Sequence, residues 1–349
     1  MQKIVFAVLC AAGLLLAHPA PAAEILNPIF APYQTYAEDY TTWLRTTLNA
    51  LKAESRVVNV PGFGPVEYQK KGQGPVVLSL HGGFGGYDQG MLIAEHLLYR
   101  GFTIIAVSRP GYLRTPLSVG QTLAAQADAM VGLMDVLKIK RAAVLGFSAG
   151  APVAAQIAIR HPSRLWALVL ECVGAHPDQA PEYQIMLEVL KDLPAANQNE
   201  GSWAVDQLAH DNPSAALPFF FNFDTVLDGP ALVQRENWVL SQPGQLAFFK
   251  RLVDSLSPMG PRRAGTINDI EGVDPYGSLA LEKIRATTLM VQAREDDSGD
   301  YPEALKIKAR IPNVRMITVE DSGHFIWLGV HANAWEARLA NFLRQQSPR

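Results

Sequence analysis

The sequence predicts an α/β fold: a mainly parallel, twisted sheet flanked by helices, with a mostly helical segment inserted late in the chain. Three observations carry this. Short, nearly continuous apolar runs recur at residues 75–80, 102–108, 141–147 and 287–293, as strands buried on both faces require. Stretches with helical spacing of apolar residues lie between them, so strands alternate with helices and the crossovers make neighbouring strands parallel. From 175 to 280 that rhythm stops, and prolines and aromatic residues crowd the chain, as in "HPDQAPEYQIM" and "NPSAALPFFFNFD".

The elements follow in order. Residues 1–23 hold Lys3, an apolar run from Ile4 to Ala17, and then small residues with prolines; Ala20-Pro21-Ala22 offers an A-x-A cleavage site. This is the pattern of a secretory signal, so export to the periplasm or the medium is expected, with an uncleaved anchor as the alternative. The run is short for a bilayer, and no transmembrane span is expected in the mature form. Residues 24–56 read as a helical extension, with Tyr36, Tyr40, Trp43, Leu44, Leu48 and Leu51 near helical spacing. Its expected role is to pack at the edge of the domain.

The core is assigned to residues 57–174 and 281–349. "RVVNV" and "VEYQKK" read as a first pair of strands, followed by the strand "PVVLSL". The helix "GMLIAEHLLYR", the strand "FTIIAVS", the helix "LAAQADAMVGLMDVLK" and the strand "RAAVLGF" come next. "APVAAQIAIRH" is a helix and "LWALVLECV" a strand. After 280 the pattern resumes with "TTLMVQA", a helix near 301–310, "VRMITVE" and a last helix "NAWEARLANFLRQQ". The stretch 175–280 is too long for a structureless loop and is read as a mostly helical lid. Its place is over the carboxyl edge of the sheet, where ligands gather in such folds.

Composition narrows the partners. A chain of 349 residues is ample for one large domain. Its formal charge of −3 is spread along the chain without a basic block, so nucleic acid is not an expected partner. A small molecule is. Only two cysteines occur, and Cys10 would leave with the signal. No disulfide is expected, and Cys172, in the apolar run "LVLECVG", reads as a buried bystander.

Between the strand "RAAVLGF" and the helix "APVAAQIAIRHP" stands "GFSAG", residues 146–150. A serine between small residues at a sharp strand-to-helix turn is held out at the sheet edge, with the next amide at a helix start. Ser148 is therefore the candidate nucleophile, and the amide of Ala149 a candidate oxyanion donor. A neutral hydroxyl needs a base, and the base an orienting carboxylate. His324, in "VEDSGHFIWL" after the last strand, is the base candidate; His161, His96, His210 and His331 lie in helices or at their ends, or in the insertion. The acid candidate is Asp296 in "TTLMVQAREDDSGD", with adjacent Asp297 and, on the preceding strand, Glu171 as alternatives. The loop "HGGFGG" supplies a second oxyanion donor through the amide of Gly83, or of Phe84. His81 is expected to brace that loop. The phosphate-cradling pattern G-x-x-x-x-G-K-[ST] is absent, and neither a cofactor nor a metal is expected.

With "HGG" at 81–83, "GFSAG" at 146–150, "AREDD" at 293–297 and "SGHF" at 322–325, the chain resembles the α/β-hydrolase superfamily over roughly residues 57–345. The order Ser, Asp, His is that superfamily's order. The resemblance implies the α/β-hydrolase fold, with Ser148 as nucleophile, His324 as base, Asp296 as acid, and the amides of Ala149 and Gly83 as oxyanion donors. Ala293 stands where a glycine is usual. "SRPGYLRTP" is similar to the D-R-P-G-Y-G-x-S loop of many members, departing at Ser108, Leu113 and Thr115. "HGGFGG" resembles the loop of proline iminopeptidases. Dehalogenases and epoxide hydrolases of this fold carry an aspartate where Ser148 stands.

The expected activity is thus cleavage of an uncharged, apolar acyl ester by an exported serine esterase. An aminopeptidase, amidase or lactonase is the alternative, and a non-catalytic binding protein on the same scaffold the second. Two readings of "PFFFNFD", Trp203 and Trp238 stand side by side: an aromatic-lined substrate pocket, or packing of the lid itself.

Overall fold

The structure, a computed structural model, describes residues 37–173, 181–272 and 276–348. The expected signal segment 1–23 lies outside the described residues, as do residues 24–36 of the extension and 174–180 and 273–275 around the insertion.

An eight-stranded sheet forms the centre, in the order β1-β2-β4-β3-β5-β6-β7-β8. The strands are β1 (Arg56–Val60), β2 (Gly64–Gly72), β3 (Val76–Leu80), β4 (Thr103–Val107), β5 (Ala142–Phe147), β6 (Leu165–Glu171), β7 (Thr288–Ala293) and β8 (Val314–Val319). β2 runs antiparallel to both β1 and β4, and the remaining pairs are parallel. Every residue of β4, β5, β6 and β7 is buried, which is why these segments read as unbroken apolar runs. β1, at the edge, is largely open to solvent and buries only Val60.

Helices cover both faces. α3 (Leu123–Val136), α4 (Ala151–Arg160) and α11 (Tyr301–Arg310) pack on one, through residues such as Met130, Leu133, Ile157 and Ile307. On the other lie α2 (Tyr87–Leu98) and α12 (Ala332–Gln346), through Ile93, Leu97, Trp335 and Leu339. α1 (Ala37–Glu54) precedes β1 and contacts both the core and the insertion. Its Leu51 carbonyl accepts the Tyr87 hydroxyl at 2.7 Å, and its Trp43 indole donates to Asp206 of the insertion at 2.9 Å.

Among the described residues between β6 and β7 are six α-helices: α5 (Pro181–Asp192), α6 (Ala195–Asp211), α7 (Pro213–Asp224), α8 (Gly229–Ser241), α9 (Pro243–Asp254) and α10 (Arg263–Glu271). Proline stands in the first turn of α7, α8 and α9, where its missing N–H costs nothing. The helices enclose an apolar centre of their own containing Phe220, Phe221, Phe249 and Leu252, joined by Leu92 and Leu328 of the core. Arg262 pairs with Asp88 of α2 at 2.7 Å. Asp269 accepts the Tyr112 hydroxyl at 2.6 Å and pairs with Arg109, tying the insertion to the loop after β4.

Candidate active site

β5 stops at Phe147, and Ser148 takes a left-handed backbone conformation (φ 50°) before a helical turn leads into α4. A non-glycine residue there costs of order 1–3 kcal/mol and persists only where its surroundings impose it. The glycines on either side explain how they do. A Cβ at Gly146 would lie 2.7 Å from the Ala154 methyl; one at Gly150 would lie 2.5 Å from the carbonyl oxygens of Leu80 and His81. Only hydrogen fits at either position, so the strand and helix close tightly and the serine is pushed outward.

His324 lies in the loop between β8 and α12. Its Nε2 is 2.9 Å from Ser148 Oγ, and its Nδ1 is 3.0 and 3.1 Å from the two oxygens of Asp296. Asp296 follows β7 and is buried. One of its oxygens accepts the amides of Ser298 (2.9 Å) and Gly299 (2.8 Å), and the other the amide group of Gln292 (2.8 Å). With a carboxylate accepting at Nδ1, the imidazole carries its proton there and offers Nε2 to the serine hydroxyl. Burial alone would lower the proton affinity of His324, but the charges of Asp296 and Asp224 outweigh it and hold the pKa above the ordinary value.

Neither alternative acid reaches the imidazole. The Asp297 amide donates to the Asp224 carbonyl at 3.3 Å, and its carboxylate makes no hydrogen bond to His324. Glu171 is wholly buried at the end of β6, its oxygens meet no hydrogen-bond partner among the described residues, and burial pushes its pKa well up.

The loop after β3 lies against the serine. A Cβ at Gly82 would be 3.1 Å from that of Ser148, whereas one at Gly83 would meet nothing within 4 Å. The Gly82 amide is taken by Gln89 (2.8 Å), which leaves the next amides, of Gly83 and Phe84, as the candidate donors beside that of Ala149. His81 holds the loop: its Nδ1 donates to the Gly82 carbonyl at 2.7 Å and its Nε2 accepts the Arg109 amide at 3.0 Å. Burial, and then the Arg109 charge, push its pKa well below the ordinary value, so it stays neutral. The other described histidines lie elsewhere, His161 with Asp128, His210 with Asp254, His331 at 3.8 Å from Asp321, and His96 edge-on to Trp335.

Phe84 (φ 59°) packs beside Met186, Leu190 and Met259, with Val189 and Ile267 around them, so the insertion brings apolar surface to the loop after β3. Of the aromatic residues noted in the sequence, Phe220 and Phe221 pack inside the insertion, Trp203 meets Tyr40 of α1, and Trp238 is 37% exposed. For Phe220 and Phe221 the structure shows packing inside the insertion.

Three neighbours of the site carried no sequence signal. Cys172 is buried as expected, but its thiol lies within 4.8 Å of ligand atoms of Asp296 and His324. Asp224 and Arg235, both buried, form an ion pair against the His324 loop. Their cue would have been an acid ending an aromatic run and an arginine eleven residues on, which no local pattern distinguishes from surface charge.

Residues 75–328 match the family described as alpha/beta hydrolase fold. The chain is 28% identical over 284 residues to the uncharacterized hydrolase YcgS of Bacillus subtilis (strain 168), covering 80% of this chain and 95% of that one. It is 27% identical over 286 residues to the 2-hydroxy-6-oxononadienedioate/2-hydroxy-6-oxononatrienedioate hydrolase 2 of Pseudomonas putida, covering 80% and 91%. Among solved structures, an alpha/beta hydrolase fold protein from Nakamurella multipartita matches with a TM-score of 0.74 at 29% identity, over 83% of this chain and 99% of that one.

Proposed function

The chain belongs to the alpha/beta hydrolase fold family, and from that premise we propose that it is an exported serine hydrolase that cleaves uncharged carboxylic esters through an acyl-enzyme intermediate. The observation that carries the proposal is the unbroken line from Ser148 Oγ through His324 to Asp296, with contacts of 2.9 and 3.0 Å. Ser148 Oγ attacks the ester carbonyl while His324 Nε2 takes its proton, and Asp296 holds the imidazole in the tautomer this requires. The amides of Ala149 and Gly83, with Phe84 as the fallback, receive the oxyanion. His324 then protonates the leaving alcohol, and water repeats the cycle to free the acid.

Two features favour an uncharged substrate. The buried arginines around the site are each neutralised: Arg109 by Asp269, Arg235 by Asp224, Arg262 by Asp88. A doubly acidic substrate, of the kind the P. putida relative is named for, would lack a free cation from any of the three. The surface beside the oxyanion loop, with Phe84, Met186 and Met259, is apolar. The insertion acts in this reading as the lid that selects the acyl group. Export rests on the leader pattern, and sequencing the amino terminus of protein recovered outside the cytoplasm tests it, with a start at residue 23 or 24 expected.

A fluorophosphonate probe followed by peptide mapping tests the chemistry. Ser148 is expected to carry the label in wild type and S148A to carry none; an unlabelled wild type would point to the binding-protein reading. p-Nitrophenyl esters set against amino-acyl anilides and lactones test the bond, and faster turnover of anilides or lactones would overturn the ester assignment.

A further inference from the structure

We propose that the buried Asp224–Arg235 pair of the helical insertion is a positioning device for the His324 loop, so that the insertion, and not the core alone, holds the histidine against Ser148. The inference rests on the catalytic roles proposed above.

Asp224 closes α7 with every acceptor in use. Its backbone carbonyl accepts the amides of His324 (2.7 Å) and Asp297 (3.3 Å). Its carboxylate accepts the Phe325 amide on one oxygen and the Arg235 guanidinium on the other. One residue of the insertion thereby grips the chain at 324 and 325 and touches the acid loop at 297. Arg235 extends the grip: Nε donates to the Leu328 carbonyl (2.9 Å), Nη2 to that of Phe325 (3.4 Å), and the guanidinium lies 4.0 Å above the Phe221 ring. The next residue, Thr225, pairs with Asp296 across a β-bridge, and its hydroxyl sits between the carbonyls of Glu295 (2.9 Å) and Ser322 (2.8 Å). Gly323 fits so closely that a Cβ there would lie 2.5 Å from the Asp224 carboxylate. The two loops that carry base and acid are thus both stitched to the end of α7.

The pair also carries charge to the site. His324 is faced by Asp296 from the loop after β7, by Ser148 and Phe147 from the strand-to-helix turn, by Cys172 from the end of β6, and by Asp224, with Arg235 behind it, from α7 and α8. Asp224 is one of the two carboxylates that raise the proton affinity of the imidazole. With Asp224 neutral, the Arg235 cation would stand uncompensated on that side and oppose protonation.

The test is the pH dependence of Ser148 phosphonylation by a fluorophosphonate, on the full chain, with folding followed by circular dichroism. D224L/R235M removes the pair and leaves no lone buried charge; its plateau labelling rate is expected to fall about 10- to 100-fold, the scale on which a misplaced catalytic group loses rate. D224N keeps the size, removes one charge and turns one acceptor into a donor, and its labelling midpoint is expected to move to lower pH. R235K keeps the cation and is expected to stay within about 10-fold of wild type, faster than the double variant. A folded double variant that labels as fast as wild type, or a D224N midpoint that does not move, overturns the proposal; D224N and R235K decide it if the double variant does not fold. An unlabelled wild type is a different result, and it would sink the serine-hydrolase reading together with this one.

Discussion

Replacing Asp296 by Asn isolates the role of the third member of the constellation. All partners of Asp296 are donors: two backbone amides on one oxygen, the Gln292 amide group on the other, and His324 Nδ1 across both. An Asn side chain has a single acceptor oxygen. Two short amide contacts favour placing that oxygen towards Ser298 and Gly299, which turns the new NH2 towards Gln292 and His324. Gln292 cannot invert to receive it, because its own oxygen already accepts the Val173 amide at 2.9 Å. His324 must then present Nδ1 as an acceptor and carry its proton on Nε2, where it can no longer take the proton of Ser148. The wrong tautomer is expected to lower kcat about 10⁴-fold, as the corresponding change does in serine proteases, or about 5.5 kcal/mol of transition-state stabilisation. The donor facing donor at Gln292 is expected to cost a further 1–3 kcal/mol of fold stability, on the order of one unmade buried hydrogen bond. Initial rates on p-nitrophenyl acetate, with urea unfolding alongside, measure both. D297N should stay close to wild type. A D296N loss below about 10-fold, or an equal loss in D297N, would refute the assignment of the acid.

Four further outcomes follow from the same geometry. The labelling rate of free enzyme should fall as pH drops through the pKa of His324, at a midpoint above the ordinary imidazole value; because that folded pKa is raised, the group's contribution to stability is full below its unfolded pKa and lost as pH rises through the folded one. Gly83→Ala keeps the amide and meets no neighbour, so kcat/KM should stay within about 3-fold, whereas Gly82→Ala presses on Phe147 and Ser148 and should cost about 1–3 kcal/mol of stability with a loss of rate. His81→Ala removes a donor and an acceptor from a fully buried position and should destabilise by about 1–3 kcal/mol in urea. The Cys172 thiol, buried and with its pKa pushed well up by burial, should resist dithionitrobenzoate until the protein is unfolded.

What could be read from the sequence was whatever has a local signature. Two-sided burial writes itself as apolar runs, so β4 to β7 stood out, and the tight turn at Ser148 demands glycines that are visible as "GFSAG". His81 was legible for the same reason, since it follows a buried strand and opens a glycine-rich loop. The antiparallel pairing of β2 with β4 was not, because "VEYQKK" carries no mark of direction. The choice between Asp296 and Asp297 turned on which carboxylate meets the amides of 298 and 299 and the Gln292 side chain, contacts that no spacing encodes. Asp224 and Arg235 were invisible because their meaning lies in partners about 100 residues away, Phe325 and Leu328, inside a stretch whose own pattern spoke only of packing.

The insertion meets the core through charges that are buried on both sides of the serine. Arg262 reaches Asp88 just after the glycine-rich loop; Asp269 reaches Arg109, whose Nε holds the His81 carbonyl at 3.0 Å; Asp224 reaches the backbone of the His324 loop. Replacing such pairs by apolar residues is often neutral or stabilising, whereas removing one partner costs several kcal/mol because a charge is left alone in a dry place. Net stability is therefore a poor reason for three of them to stand where they do. Their placement supplies a better one. Arg262 ends on Asp88 in the first turn of α2, Asp269 on Arg109, which holds the His81 carbonyl, and Asp224 on the His324 loop, so a displacement of the insertion would shift the geometry of the serine's surroundings. Swinging the insertion away from the core would break Arg262–Asp88 and Arg109–Asp269 together with the Asp224 contacts to the His324 loop, and would leave the buried Arg109 and Arg262 without their carboxylates. The arrangement argues for an insertion held fixed against the core, and against one hinged to swing free of it.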